Sequence, residues 1–144
     1  MNLNESLRDW INENIDGYPS LDGVTLATMG ETADLSPPFL GIYETGSETR
    51  ETEGVVMHGI SDFYITCELH TVPADADNGG TTAAEERQMR RDLYAILGDR
   101  AGIDWITDRN DWRVFDIQVP SPTTGLGEDR RLTTWSLSIL ACPI

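Results

Sequence analysis

A chain of 144 residues, 39% of them apolar, is long enough to bury one core, and it holds no apolar run long enough to span a membrane. The formal net charge is −15, and all ten basic residues are arginine. Such a surface repels nucleic acid and anionic lipid, which argues against DNA or RNA binding through a basic patch. No basic region followed by an apolar stretch opens the chain, so the sequence predicts a soluble intracellular protein without a secretory signal.

The first predicted element is an amphipathic helix at residues 3–16. Its apolar side chains recur at helical spacing and share one face: Leu3, Leu7, Trp10, Ile11 and Ile15. Asn2 and Glu5 are spaced as in a capping box, and Gly17 follows the last turn. We expect the apolar face of this helix to cover part of the core.

Short β-like segments follow at residues 24–29 and 38–43, and the apolar pattern resumes at 55–58. The stretch between the last two segments, residues 44–54, is polar and acidic. We interpret it as the projecting loop of a hairpin, because so many charges do not fit a core. As a loop, residues 46–52 would be dispensable for folding.

The segment 62–71 is the clearest strand. Phe63, Ile65, Cys67 and Leu69 alternate with polar residues, so one face is expected to be buried and the other polar. Such alternation favours a sheet that is covered on one side only. A polar loop at 73–81 separates this strand from the next helix.

A second helix begins at a capping box formed by Thr82 and Glu85 and ends near Gly98. Its apolar stripe is predicted to consist of Met89, Leu93, Ile96 and Leu97. Glu86 and Arg90 stand four residues apart, and we expect them to pair on the solvent-exposed face.

The last third of the chain predicts a strand at 114–119, a turn-rich loop at 120–130 and a long strand at 131–142. In the last strand Trp135, Leu137, Ile139 and Ala141 share one face. The sheet core beneath Leu93, Ile96 and Leu97 is therefore predicted to contain Phe63, Ile65, Leu69, Phe115, Ile117, Trp135, Leu137 and Ile139.

No catalytic pattern stands out around the two histidines, His58 and His70. Cys67 and His70 lie three residues apart in a strand, which places them on opposite faces and prevents them from sharing a metal ion. Cys67 and Cys142 are too few for a disulfide framework, and we interpret them as free, buried thiols.

One partial metal pattern stands out. Asp75, Asp77, Gly80 and Glu86 match positions 1, 3, 6 and 12 of a calcium loop. Position 5 of such a loop would be Gly79, which offers no side-chain ligand, and the preceding element is a strand rather than a helix. We therefore predict no enzyme activity, no catalytic or metal site and no cofactor, with calcium binding by residues 75–86 as the alternative.

Together these elements predict one α+β domain over residues 1–144. The elements are expected to follow one another along the chain in the order α-β-β-β-β-α-β-β. The expected sheet is mostly antiparallel or mixed and has five to six strands. The N-terminal helix and one crossover helix are expected to pack on one face of this sheet.

This layout resembles that of phage tail terminator and neck-completion proteins of long-tailed phages. The resemblance covers nearly the whole chain and rests on element order: the N-terminal helix, the strand pair with its acidic connection, the strand Phe63–Thr71, the helix with Glu85–Leu93 and the strand Thr133–Ile139. It implies a structural virion protein that is assembled in the host cytoplasm. Such proteins form a ring, typically of six subunits, at the head-proximal end of the tail tube.

The resemblance implies three partners: further copies of the chain, the tail-tube protein and a head-side neck or connector protein. It carries over no active-site residues. Three polar segments, 44–54, 73–81 and 120–130, are expected to project towards partners, and an acidic bore would keep passing DNA from adhering. We predict an interface formed by Glu44, Glu48, Arg50, Glu51, Glu53, Arg87 and Arg91.

Three other classes stay open. The nearest is a different virion part, such as a head–tail adaptor, a stopper or a tail-tube subunit. The second is an acidic DNA mimic that blocks a DNA-binding protein. The third is an enzyme, which the lack of a recognisable site disfavours. In every case the charge predicts no specific affinity for DNA, because each phosphate contact needs an available cation.

Overall fold

In a computed structural model, the described residues form six strands and three helices, as the α+β prediction requires. The ranges described are 2–28, 35–52, 55–74, 79–109, 112–127 and 129–143, with the backbone alone for 51, 52 and 55–58. The helices are α1 (Leu3–Asn14), α2 (Ala83–Leu97) and α3 (Ala101–Asp108). The strands are β1 (Thr25–Thr28), β2 (Phe39–Thr52), β3 (Val55–Thr71), β4 (Trp112–Gln118), β5 (Thr123–Leu126) and β6 (Arg131–Pro143).

The sheet has the order β1-β2-β3-β6-β4 and curls into a half-barrel. β1 runs parallel to β2, whereas β2–β3, β3–β6 and β4–β6 are antiparallel, so the expected mixed and mostly antiparallel sheet is confirmed. β5 also pairs with β6, beyond the end of β4. Residues 120–130 are therefore not a loop throughout. Pro120 and Pro122 lie between β4 and β5, where the missing N–H of proline breaks the pairing.

The core lies between the helices and one face of the sheet. Strands β3 and β6 alternate as predicted, with Ile65, Cys67 and Leu69 facing inward beside Trp135, Leu137 and Ile139. The helical residues buried against them are Leu3, Leu7, Trp10 and Ile11 from α1 and Met89, Leu93, Ile96 and Leu97 from α2. The indole Nε1 of Trp10 donates a hydrogen bond to the carbonyl oxygen of Ile96 at 3.1 Å, which joins the two helices. None of the described helices combines the length and apolarity needed to cross a bilayer.

Both predicted helix starts are confirmed. The backbone N–H of Asn2 donates to Glu5 Oε2 at 3.3 Å ahead of α1. At α2 the capping box is reciprocal: Glu85 N donates to Thr82 Oγ1 at 3.1 Å, and Thr82 N donates to Glu85 Oε1 at 3.2 Å. These contacts satisfy N–H groups that have no partner inside the first turn of a helix.

Helix α3 lies between the second predicted helix and the predicted strand at 114–119, where the sequence predicted no helix or strand. Its Ile106 is fully buried, and Trp105 lies 5.6 Å from Trp10, measured between ring centroids. Gly102 lies directly beside Trp10, where a Cβ atom would come within 2.8 Å of the indole Nε1. The helix has eight residues, too few for a clear helical period, and tertiary packing rather than propensity decides its conformation.

Phe115 was predicted to join the core, and this prediction is wrong. A bulge just after Val114 adds one residue to β4, so that Val114 and Ile117 align with Ala141 and Ile139 of β6. Phe115 occupies the extra position and is 45% exposed. A bulge reverses the alternation of faces without any change in the apolar pattern, which is why the sequence assigned the wrong face.

Leu137 is 1% exposed, which confirms the register assigned to the last strand. We expect Leu137→Ala to lower the free energy of unfolding by about 2–5 kcal/mol, because it leaves a cavity in the core. The matched control is Leu126→Ala, since Leu126 is 72% exposed and its truncation is expected to change stability by less than about 0.5 kcal/mol. Urea unfolding followed by tryptophan fluorescence measures both. Equal effects from the two variants would contradict this assignment of the core.

Candidate interaction surface

The acidic stretch after residue 43 is a strand and not the predicted loop. It continues β2 to Thr52 and pairs with β3, for example Glu48 with Asp62 and Thr49 with Ser61. The segments 55–58 and 62–71 likewise form one strand, with Gly59 at a positive φ of 79° between them. We call residues 44–52 and 55–64 the hairpin arm. Pairing of β3 with β6 stops at Ser61, so the outer part of the arm, residues 50–52 and 55–60, extends past this ladder as a two-stranded ribbon.

Two cross-strand contacts stiffen the arm. Arg50 donates from Nε and Nη2 to the two carboxylate oxygens of Asp62, at 2.8 and 3.1 Å. This bidentate pair raises the pKa of Arg50. The hydroxyl of Tyr64 donates to Glu48 Oε2 at 3.1 Å, which raises the pKa of Tyr64. Arg50, one of the predicted interface residues, is therefore already paired within its own chain.

The arm keeps a negative charge after this pairing. Residues 44–50 are all exposed, and among the described side chains no cation lies within ion-pair distance of Glu44 or Glu48. The side chain of Glu51 and the whole of Glu53 lie outside the description. The predicted acidic residues are thus brought together along one ribbon as far as they are described.

The expected pair between Glu86 and Arg90 is also wrong. Glu86 is 1% exposed, accepts a hydrogen bond from Thr71 Oγ1 and forms an ion pair with Arg131. This cluster joins α2 to the ends of β3 and β6. The sequence held a signal for this burial, because Glu86 precedes Met89 by three residues and so lies on the apolar stripe of the helix.

Arg87 and Arg91, the two interface candidates on α2, are exposed. They lie on the side of α2 away from the core. No ion pair joins them, or the half-buried Arg90, to any residue within the described ranges. Sequence analysis missed their neighbour Tyr94, which is 47% exposed.

The face of the sheet opposite the helices, here called the outer face, has its own small aromatic cluster. Phe39 is 1% exposed and stacks on His70 with the ring centroids 4.3 Å apart. The guanidinium carbon of Arg130 lies 5.9 Å from the centre of the Phe39 ring. The Tyr43 ring covers Gly41, where a Cβ atom would approach the tyrosine hydroxyl to 2.3 Å.

A cleft of about 420 Å³ opens beside this cluster. Its lining includes His70, Leu126, Arg130 and Leu132. Burial lowers the pKa of His70, and the nearby Arg130 lowers it further, although Glu68 at 3.3 Å acts in the opposite direction. Leu126 and Leu132 supply apolar lining, and Asp129 and Arg130 are charged groups of the cleft.

The predicted separation of Cys67 and His70 is confirmed, since Cys67 faces the core and His70 the outer face. Burial raises the pKa of the Cys67 thiol to about 12, so this cysteine is not a nucleophile at neutral pH. Over the ranges that the structure covers, no three His, Cys, Asp or Glu side chains are grouped to hold a metal. Of the calcium pattern, Asp75 and Asp77 lie outside the described residues, and Glu86 is engaged by Arg131.

The titration of His70 tests the geometry of the outer face. We expect a midpoint below the ordinary value of about 6.5, a further decrease in Glu68→Gln and an increase in Arg130→Ala. Because the unfolded chain takes up this proton at a higher pH than the folded chain, stability should decrease as pH falls below about 6.5.

Proton NMR of the two imidazoles measures these midpoints, with a His58→Gln variant to assign the signals. A wild-type midpoint at or above 6.5, insensitive to Arg130→Ala, would contradict the burial of this ring beside Arg130.

Comparison with known proteins adds no relative to this description. No protein-family model matches the chain, and no curated protein matches its sequence significantly. The surface is therefore interpreted from its own residues: a stiff acidic arm, an exposed basic helix face and an outer sheet face with a cleft beside His70.

Proposed function

We propose that this chain is a structural virion protein that forms a ring at the head-proximal end of a phage tail tube. In this role, that of a tail terminator, it stops growth of the tube and joins the tail to the head. The observation that carries the proposal is the hairpin arm, a paired ribbon that bears the exposed carboxylates of Glu44 and Glu48 and, beyond them, extends past the β3–β6 ladder. The order of elements, which resembles that of tail terminator proteins, supports it.

A closed ring requires that each subunit present two different surfaces, one to each neighbour. The acidic arm and the exposed face of α2 are two such surfaces, because they belong to different parts of the fold and carry opposite charge. The arm suits this role because Arg50–Asp62 and Tyr64–Glu48 order its side chains before any partner arrives. Such preorganisation lowers the entropic cost of association.

The high negative charge fits the same role. A ring around passing DNA benefits from a surface that repels phosphate, and a net charge of −15 per chain provides one. The partners of the proposed ring are further copies of the chain, the tail-tube protein and a head-side neck or connector protein. The ring acts by assembly, so the proposal includes no catalytic step and no specific affinity for DNA.

Another head–tail connector component or a tail-tube subunit would use the same surfaces, and its position on the particle distinguishes it. An acidic DNA mimic is less well supported. Such a protein needs carboxylates spaced like phosphates on one face. Here Glu44 pairs with Ile65 on the core side of the sheet, whereas Glu48 pairs with Asp62 on the outer side.

The proposal predicts that a shortened arm abolishes assembly and leaves the fold intact. Deleting residues 46–52 alone would remove the partner of β3, since this segment is a strand. We therefore replace residues 50–60 with Asn-Gly, a two-residue turn that suits the directly paired Thr49 and Ser61. No described core residue lies in the replaced segment, so the circular dichroism spectrum and cooperative unfolding should be retained.

Negative-stain microscopy of tails and mass photometry of the purified chain report the assembly. The shortened variant should give no terminal ring. The control Glu13→Gln changes the net charge by the same single unit at an exposed position of α1 and should assemble normally. Normal rings from the folded, shortened variant would refute the role of the part of the arm beyond Thr49, and a single wild-type copy on the tail axis would refute the ring.

A further inference from the structure

We infer that the exposed face of α2 is the docking site for the hairpin arm of a second copy of this chain. The inference rests on the proposed ring and specifies its subunit contact. The docking surface is formed by Arg87, Arg90, Arg91 and Tyr94, here called the basic patch.

The patch is a continuous strip along the helix. Arg87 and Arg91 are four residues apart, as are Arg90 and Tyr94, so their side chains are neighbours on the helix surface. Arg87 and Arg91 are exposed, and Tyr94 leaves 47% of its surface accessible. Arginine and tyrosine are enriched in the residues that contribute most to protein–protein binding.

The fold leaves this patch without internal neutralisation. Each acid of α2 has another partner: Glu85 closes the capping box, Glu86 turns inward to Arg131, and Asp92 accepts hydrogen bonds from Ser20 and Gln88. Arg87 and Arg91 stand four residues apart, and the other residues four positions away from them, Ala83 and Ala95, are uncharged. Neither arginine therefore has an acidic i,i+4 neighbour on the helix. Three guanidinium groups with no ion-pair partner among the described residues are therefore grouped on a chain whose net charge is −15.

The arm of another copy is the occupant that this charge distribution favours. In the arm the described cation, Arg50, is already paired with Asp62, which leaves Glu48 exposed on the outer side of the ribbon and Glu44 exposed on its opposite side. Within one chain no ion pair between described residues joins the arm to the patch. A planar guanidinium binds a carboxylate through two parallel hydrogen bonds, so Arg87 and Arg91 suit the glutamate on whichever side of the arm faces them, Glu44 or Glu48. A contact between the arm of one subunit and the patch of the next is a head-to-tail contact, the kind that closes a ring.

A pair of charge-reversal variants tests the contact. Variant one, Arg87→Glu with Arg91→Glu, has an acidic patch and the native acidic arm. Variant two, Glu44→Arg with Glu48→Arg, has a basic arm and the native basic patch. Each variant alone brings like charges together, and the assembled fraction should decrease by at least about tenfold. In an equimolar mixture every arm meets a patch of opposite charge, and assembly should return with the variants alternating around the ring.

The control Arg8→Glu with Arg113→Glu alters the net charge as much as variant one, outside the patch, and should assemble normally. Ring formation on tails and sedimentation velocity of the purified chains are both measured, because they separate the two claims. Normal ring formation by either reversal variant alone, or a mixture of the two variants that does not recover assembly, overturns the docking contact while the ring proposal stands. Salt-dependent association in the mixture without rings on tails supports the contact and refutes the ring function. If the mixture shows neither association nor rings on tails, both the docking contact and the ring proposal are overturned.

A nucleic-acid role for the patch is the remaining outcome. Three arginines on a chain of net charge −15 should not hold duplex DNA at physiological salt. Fluorescence anisotropy with labelled duplex therefore should show no binding tighter than about the non-specific micromolar range. Tighter binding that is steeply salt-dependent and lost in variant one would overturn the docking inference in favour of phosphate recognition.

Discussion

Antiparallel pairing between β2 and β3 is the constraint on which the rest of this structure depends. β3 lies between β2 and β6, so its inner half contributes Ile65, Cys67 and Leu69 to the core. The same pairing continues outward past Ser61, where β6 no longer pairs. Backbone hydrogen bonds do not require apolar side chains, and so an acidic stretch continues as a strand. One interaction thus organises the core and produces the arm.

A second consequence concerns charge. Glu86 is drawn inward because it lies on the apolar stripe of α2, where Thr71 and Arg131 satisfy it. This arrangement anchors the helix to the sheet, and it also removes the acid that would otherwise neutralise Arg90. In the arm the cation is neutralised instead, because Arg50 is bound by Asp62. Internal pairing therefore separates charge between two surfaces of the fold, and this separation underlies the proposed contact between subunits.

Much of the fold was accessible from sequence, because several segments carry redundant signals. The second helix has both a capping box and an apolar stripe, and the strands around Ile65 and Leu137 alternate cleanly. The errors have physical causes. Residues 44–52 lack apolar alternation, so their strand is stabilised by cross-strand partners that a local pattern does not contain. Helix α3 is short, and the bulge in β4 exchanges faces at Phe115.

The candidate surface was less predictable than the core. The acidic segment 44–54 and two of the arginines on α2, Arg87 and Arg91, were identifiable from the sequence. The sequence could not establish which charges are already satisfied within the chain, because those contacts join distant segments. Arg50 with Asp62 and Glu86 with Arg131 both required the fold. Tyr94 was missed because a single exposed aromatic residue on a helix has no distinguishing pattern.

A reconstruction by electron cryomicroscopy of the tails on which this chain assembles tests the central claim most directly. The account predicts several copies related by rotation about the tail axis, with the arm of each copy lying across Arg87 and Arg91 of the next. A single copy on the axis, or a ring in which the arms contact no neighbour, would contradict it.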